Sequence, residues 1–236
     1  MIAATKKIPI MATLVAFVAV VIMLRLGFWQ LERMEEKQQR LETLTEKLNS
    51  GNLSLVNLPD ELELAADTPV EFSGLADLQR LIYLDNRIVE GSVGYEVLVP
   101  VETNVGWVLV NYGWVQATNS RAKLPDIAID ARNNNFTGNV VVPSMNPMIK
   151  ETATAMDGFP LLIQQIDIDT ISDITGIAFQ PFVVALQQAP DSLFKNNWRP
   201  VVMPPEKHFG YALQWFGLAI AAIVIYFVAL YKRKSS

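Results

Sequence analysis

Residues able to do chemistry are few in this chain. Its 236 residues include one histidine, His208, and no cysteine. The missing thiols exclude disulfides, iron–sulfur clusters, thiolate zinc sites and cysteine nucleophiles. A Ser-His-Asp triad would have to use His208, which stands at the start of a long apolar run and so at a membrane edge rather than in a domain cleft. Protein zinc sites draw on several His or Cys ligands, and the chain has one. Asp167 and Asp169 alternate with isoleucines, which predicts two carboxylates on one strand face. Calcium needs six or more oxygens, and the Asp-x-Asp-x-Asp-Gly pattern is absent, so these acids read as a solvated face. Gly74 and Gly94 lack phosphate-loop spacing and read as turn glycines. The inventory offers no catalytic set, and the chain is predicted not to be an enzyme.

His208 is the residue left over. A neutral imidazole is a good axial ligand for haem iron. Steps of three and four residues along a helix return to one side, so Tyr211 and Trp215 are predicted to share a face with His208. Such a face suits an apolar porphyrin in one leaflet of a bilayer. Histidine, tyrosine and tryptophan are also enriched at membrane interfaces without binding anything, so both readings stand.

Two segments must position these residues. Residues 209–231 carry no charge, and a helix of that length spans about 34 Å, enough to cross a hydrocarbon core of about 30 Å. Lys232, Arg233 and Lys234 follow at once, which places the C-terminus in the cytoplasm and His208 at the outer interface. Residues 8–24 form a second apolar run after Lys6 and Lys7. A signal peptide has a similar start, but the run is long for one and no Ala-x-Ala site follows. It is predicted to be an uncleaved span ending at residues 27–29, with Trp29 in an interfacial belt. Two spans and an inside C-terminus put the N-terminus inside as well.

The middle of the chain is acidic. Between Leu26 and Lys207 lie all 24 acids but only 13 of the 19 Lys and Arg, a net of −11. Such a domain repels phosphate backbones, so nucleic acid is not an expected partner. Residues 26–48 read as a helix with a stripe of Leu31, Met34, Leu41, Leu44 and Leu48, ended by Asn49, Ser50 and Gly51. The stripe is expected to pack on the domain's own core. Short β-type runs follow at 70–72, 81–85, 94–101, 106–115, 136–142, 159–166, 179–187 and 198–203, with a hairpin at 102–105. Residues 169–174 suggest one short helix with Asp169 as N-cap and Gly176 past its end. Residues 121–135 and 144–157 read as polar connections. This texture predicts an antiparallel barrel or sandwich.

Three separated stretches resemble one family. The first is Leu26-Gly27-Phe28-Trp29-Gln30 with Arg33 and Lys37. The second combines Arg87 and Gly91 with the run from Gly94-Tyr95-Glu96 to Pro100 and the run from Leu109-Val110-Asn111 through Gly113-Trp114-Val115. The third is His208, Tyr211 and Trp215-Phe216-Gly217-Leu218. In this order they resemble the surfeit locus protein 1 family of cytochrome c oxidase assembly proteins. The resemblance implies a non-enzymatic, chaperone-like factor that acts when haem A enters the largest subunit of a haem-copper oxidase. It carries a transient haem A ligand role over to His208. Tyr112 stands where the family usually has arginine, so an ionic role there is absent. Glu36 replaces a tryptophan common in mitochondrial members, and no transit-peptide pattern precedes the first span, which together imply a bacterial member.

The expected architecture is an α+β membrane protein with two transmembrane helices flanking an extracytoplasmic, antiparallel β-rich domain. Residues 1–7 form a cytoplasmic start and 8–28 the first span. Residues 29–207 form a periplasmic domain opening with the helix 29–48. Residues 208–231 form the second span and 232–236 a cytoplasmic tail. The bacterial inner membrane is the expected location. Expected cofactor contacts are His208, as haem iron ligand, with Tyr211 and Trp215. Trp29, Gln30 and Arg33 are expected to make helix or partner contacts. Expected partners are the oxidase catalytic subunit and haem A synthase. A cofactor-free scaffold holding a partly built oxidase subunit is the rival reading. A membrane-anchored hydrolase or sensor lacks a visible active-site set.

Overall fold

The computed structural model describes residues 10–118, 123–130, 132–149, 153–154, 158–187, 192–197 and 203–235. The chain divides into two compact units, residues 44–200 and the terminal segments 1–43 with 201–236.

The terminal unit consists of two long helices, α1 (Ile10–Asn49) and α4 (Pro205–Ser235). Both are long and apolar enough to cross a membrane, and only 6% of each most apolar window is buried. Their apolar surface therefore faces outward, as lipid requires. Less exposed positions recur at alternating steps of three and four: Thr13, Ala16, Val20, Met23, Gly27 and Gln30 on α1, and His208, Ala212, Trp215, Ala219, Ala222 and Tyr226 on α4. A seven-residue repeat of this kind holds one seam against a neighbouring helix. Small residues on it let the backbones approach, as membrane helices need. At Gly27 a Cβ would lie 2.5 Å from the Phe216 ring, so only glycine fits without a shift. Phe28 meets the same ring edge-on, with centroids 5.3 Å apart. Thr13 and Tyr226 share a hydrogen bond of 2.6 Å, and His208 and Gln30 one of 2.8 Å. These contacts make the pair antiparallel. The two bonded positions on α1 are seventeen residues apart, about 25 Å along the helix.

Among the described residues, the other unit holds the end of α1, three further helical pieces and eight strands. The last turns of α1 extend into it from Leu44, which is buried. There Lys47 Nζ donates 2.7 Å bonds to the carbonyls of Leu64 and Ala66, beside the four-residue helix α2 (Leu62–Ala65). A cation thus satisfies a helix C-terminus. Of the expected stripe, Leu44 is buried but Leu48 is exposed, because the buried side of α1 steps from 41 to 44 and on to 47. The remaining pieces are a single 3-10 turn at Leu55–Asn57 and α3 (Ile168–Thr175).

The strands are β1 (Pro69–Ala76), β2 (Ile82–Val89), β3 (Ser92–Thr103), β4 (Gly106–Gln116), β5 (Asn135–Val141), β6 (Ala153–Thr154), β7 (Leu161–Ile163) and β8 (Phe179–Leu186). They form one sheet in the order β1-β5-β8-β4-β3-β2-β7-β6, and β1 also pairs with β3. That extra pairing closes β1, β5, β8, β4 and β3 into a five-membered ring, with β2, β7 and β6 continuing from it. Strand β3 makes this possible by using one edge twice. Residues 92–98 pair with β2 and residues 101–103 with β1. Pro100, which has no N–H to donate, sits where the edge changes partner.

The expected barrel is present, with mostly antiparallel pairing. Two pairs, β4–β8 and β2–β7, are parallel. Alternate residues divide into two layers. Val97, Val99, Val108, Val110 and Val184 pack inside the ring with Phe72, Tyr83 and Phe136. Leu84, Leu98, Leu109 and Val183 face the other way, under Ile171 of α3. Being buried on both faces explains why these strands read as continuous apolar runs.

Several expectations need correction. Gly74 and Gly94 lie inside β1 and β3 rather than in turns. Asp167, not Asp169, caps α3: its carboxylate accepts from the Thr170 amide at 3.2 Å and the Thr170 hydroxyl at 2.7 Å. The two acids therefore lie at a helix start rather than on one strand face. The run at 159–166 is a strand only over Leu161–Ile163, and β6 lies within the stretch read as a polar connection. Most of the run at 198–203, and the cations Lys6 and Lys7, lie outside the described residues.

Candidate functional site

Among the described residues, three buried side-chain atoms lack any hydrogen-bond partner: Arg87 Nε, Asn139 Oδ1 and His208 Nε2. Native structures leave few such atoms, so each marks a place to look.

His208 is the fourth residue of α4 and is 8% exposed. Its Nδ1 lies 2.8 Å from Gln30 Oε1. An amide oxygen only accepts, so Nδ1 carries the proton and donates. In that tautomer the lone pair lies at Nε2, the atom left unpartnered. Metal-ligating histidines show this arrangement, with one nitrogen tied by a hydrogen bond that sets tautomer and ring orientation. The donor set therefore fits an axial ligand to haem iron. Among the described residues no group of three His, Asp or Glu is placed to hold a bare metal ion.

The other expected site residues are arranged unequally. Trp215 is half-buried on the same side of α4 as His208 and Ala212. Tyr211 is 43% exposed. A three-residue step leaves it about 60° short of a full turn, at the margin of the seam, which is centred on His208. On α1, Gln30 is on the seam with His208, whereas Trp29 is 44% exposed. Arg33 is exposed too, stacked 5.8 Å over the Trp29 ring and paired with Glu36. The link between Gln30 and His208 was not foreseen. Its sequence signal was Gly27 and Gln30, one small and one polar residue three apart on the side of α1 that must meet a partner.

In the β unit, Tyr112 turns into the core, with ring centroids 6.4 Å from Phe136 and 5.8 Å from Phe194. Burial pushes its hydroxyl up to about 12. Burial, then the charge of Asp126, also raises Tyr83, whose hydroxyl donates to the Pro125 carbonyl at 2.8 Å. These groups are structural.

The geometry defines a class: a membrane protein with two apolar helices, a β domain inserted between them and a held imidazole on the helix seam. Within that class, residues 17–220 match the model of the SURF1 family, and the chain belongs to it. This is the surfeit locus protein 1 family that the motifs resemble, known generally for oxidase assembly. The SURF1-like protein of Rickettsia conorii is 28% identical over 225 residues, covering 92% of this chain and 90% of the relative. Those of Rickettsia felis and Rickettsia bellii are 28% and 26% identical, covering 93% and 94% of this chain and 96% and 91% of theirs.

Proposed function

We propose that this protein assists assembly of a haem-copper cytochrome c oxidase by taking up haem A on His208 and giving it up to the catalytic subunit. The observation that carries the reading is the state of the imidazole. Gln30 holds Nδ1, and Nε2 is bare, buried and unpartnered. Haem A is cargo here, and the chemistry is coordination and release rather than bond-making. Because Nε2 is enclosed, loading requires the ring to be uncovered, which would couple uptake to a local loosening of the helix seam. Haem A synthase would be the source and the oxidase subunit the recipient. The cations Lys232 and Arg233 after the second span support an inner-membrane protein with both termini in the cytoplasm and the β domain in the periplasm.

The test is the pigment of the full chain, purified in detergent from cells making haem A. Wild type is expected to show a Soret band and His208→Ala to lose it. Bound haem unchanged in the variant overturns the assignment. One observation favours a second reading, a cofactor-free scaffold. Trp29 and Tyr211 are exposed, open to a partner's helices. Wild-type protein that co-purifies with an oxidase subunit but never with haem would select it.

A further inference from the structure

The β unit holds a second place where buried polar groups are left open. A cavity of about 360 Å³ lies on the outer layer of the sheet, floored by Leu84, Val183 and Ala185. Arg87, Glu96, Asn111 and Asn197 line it together. The Glu96 carboxylate accepts 2.7 Å bonds from both amides, Asn111 Nδ2 on one oxygen and Asn197 Nδ2 on the other. Asn111 is itself fixed, its Oδ1 accepting from the Gly113 amide at 2.8 Å. A carboxylate offers about four acceptor positions, so two of Glu96's remain open.

Arg87 is the unexpected member. Its Nε is buried and makes no hydrogen bond, and the nearest Glu96 oxygen is 3.9 Å away, too far for one. The guanidinium sits beside an anion without donating to it. The main chain at Arg87 is itself fixed. Trp114 Nε1 donates to the Arg87 carbonyl at 2.9 Å, and Gly94 leaves room for that ring, since a Cβ there would lie 2.5 Å from it. Register shifts flank the site on both sides. Strand β2 slips between Leu84 and Arg87, with Asn86 at φ 59°, and β4 carries Tyr112 as an extra residue opposite Val97 and Leu98. Bulges re-aim side chains and gather near binding sites.

We propose that this cavity binds a small α-amino or α-hydroxy carboxylate, its carboxylate on Arg87 and its neighbouring N–H or O–H donor on Glu96. Arginine's fork matches a carboxylate in two parallel bonds. The adjacent anion rejects ligands that carry negative charge alone and rewards one with a donor beside it. No described lining residue is aromatic, which disfavours nucleobases and sugars, as both rely on ring stacking. The volume is at the small end for ligand pockets.

The test uses the full chain in detergent and calorimetric titration with L-serine, L-glutamine, L-malate and L-lactate. Serinol, which lacks the carboxylate, and butyrate, which lacks the donor, serve as controls. At least one of the four acids is expected to bind while both controls fail. Arg87→Lys keeps the charge but loses the fork, and should weaken binding at least about tenfold. Ser144 is exposed at the rim, so Ser144→Trp should block the cavity without touching the polar cluster, with a loss of similar size. No binding by any acid at about 10 mM, far weaker than specific sites bind, overturns the proposal. So does binding that serinol matches or that both variants leave unchanged.

Discussion

The two unpartnered nitrogens, His208 Nε2 in the helix pair and Arg87 Nε in the barrel, sit in opposite surroundings. His208 shares its seam with Gly27, Ala212 and Ala219, and its side chain bonds Gln30 through Nδ1. Arg87 faces a carboxylate held by two amides, one of them held in turn by a backbone N–H. The first setting is apolar and offers a lone pair, which suits a hydrophobic, metal-bearing ligand. The second is polar and offers a donor beside an acceptor, which suits a small charged one. An orphaned atom shows that a partner is missing, and its neighbours show of what kind. The settings also differ in redundancy: one lost bond frees the imidazole, whereas the barrel cluster is cross-tied.

Glycine substitutions test that difference with the largest effects. At Gly94 an added Cβ would lie 2.1 Å from the Val115 carbonyl oxygen, part of the barrel backbone. At Gly27 it would meet only a phenyl ring. Gly94→Ala is expected to cost about 3 kcal/mol or more and Gly27→Ala about 1–2 kcal/mol, since backbone yields less than a side chain. Denaturant titration of the full chain, followed by near-ultraviolet circular dichroism, reads the first. The second is best read in the helix pair itself. The chain has no cysteine, so Thr13→Cys with Tyr226→Cys gives an unambiguous crosslink, and its yield should fall with Gly27→Ala. Equal loss at both sites would remove the contrast between rigid barrel and yielding seam.

Much of this was legible in the sequence where one force dominated. Both apolar helices show as charge-free runs, because lipid tolerates nothing else. The strands of the ring show as apolar stretches between turns, and the hairpin between β3 and β4 falls where Asn104 and Val105 leave the ladder. Closure did not show. It depends on β3 sharing one edge between two partners, a long-range pairing that no local pattern records. The cap of α3 moved by two residues because Asp167 and Asp169 are equally good caps on type alone; the position of Ile171 in the core decides between them. His208 and Gln30 were each picked out from local motifs. Their contact joins positions 178 apart in sequence and needed the helix pairing.

A change at Gln30 sharpens the comparison on the helix side. Gln30→Leu keeps the size but removes the acceptor that orients His208. Loss of such an outer-shell bond typically weakens metal ligation 10- to 100-fold, so haem retention by the purified protein should fall at least about tenfold. Thr13→Val removes the other interhelical bond and should leave the pigment alone, costing about 0.6 kcal/mol of pairing. Equal pigment loss in both variants would mean the seam acts as a whole, not through the imidazole.

Alkaline titration probes the barrel core. Tyr112 is pushed up to about 12 by burial, from 10.0. A raised pKa means the neutral phenol is favoured in the fold. Its contribution is full below pH 10 and lost as the pH climbs through about 12. Wild type should lose near-ultraviolet dichroism across that window as tyrosinate absorbance appears. Tyr112→Phe should keep the ring packing and show a shallower loss there. An unchanged alkaline limb would mean that another group controls it.

The smallest expected effect concerns the helix that covers the outer sheet layer. Asp167→Ala removes the two bonds to Thr170 and should cost about 1 kcal/mol, the usual value of an N-cap. Asp169→Ala loses only a charge in the first turn, for about 0.3 kcal/mol at low salt and less at high salt. Because α3 rests Ile171 on the apolar layer that continues into the cavity floor, the comparison reaches the proposed ligand. The polar cluster is tied through β3, β4 and Asn197, none of which depends on the cap. Asp167→Ala should therefore lower the unfolding midpoint and leave carboxylate affinity within about twofold. A large loss of affinity with a small loss of stability would mean that α3, and not the strand bulges, sets the shape of the cavity.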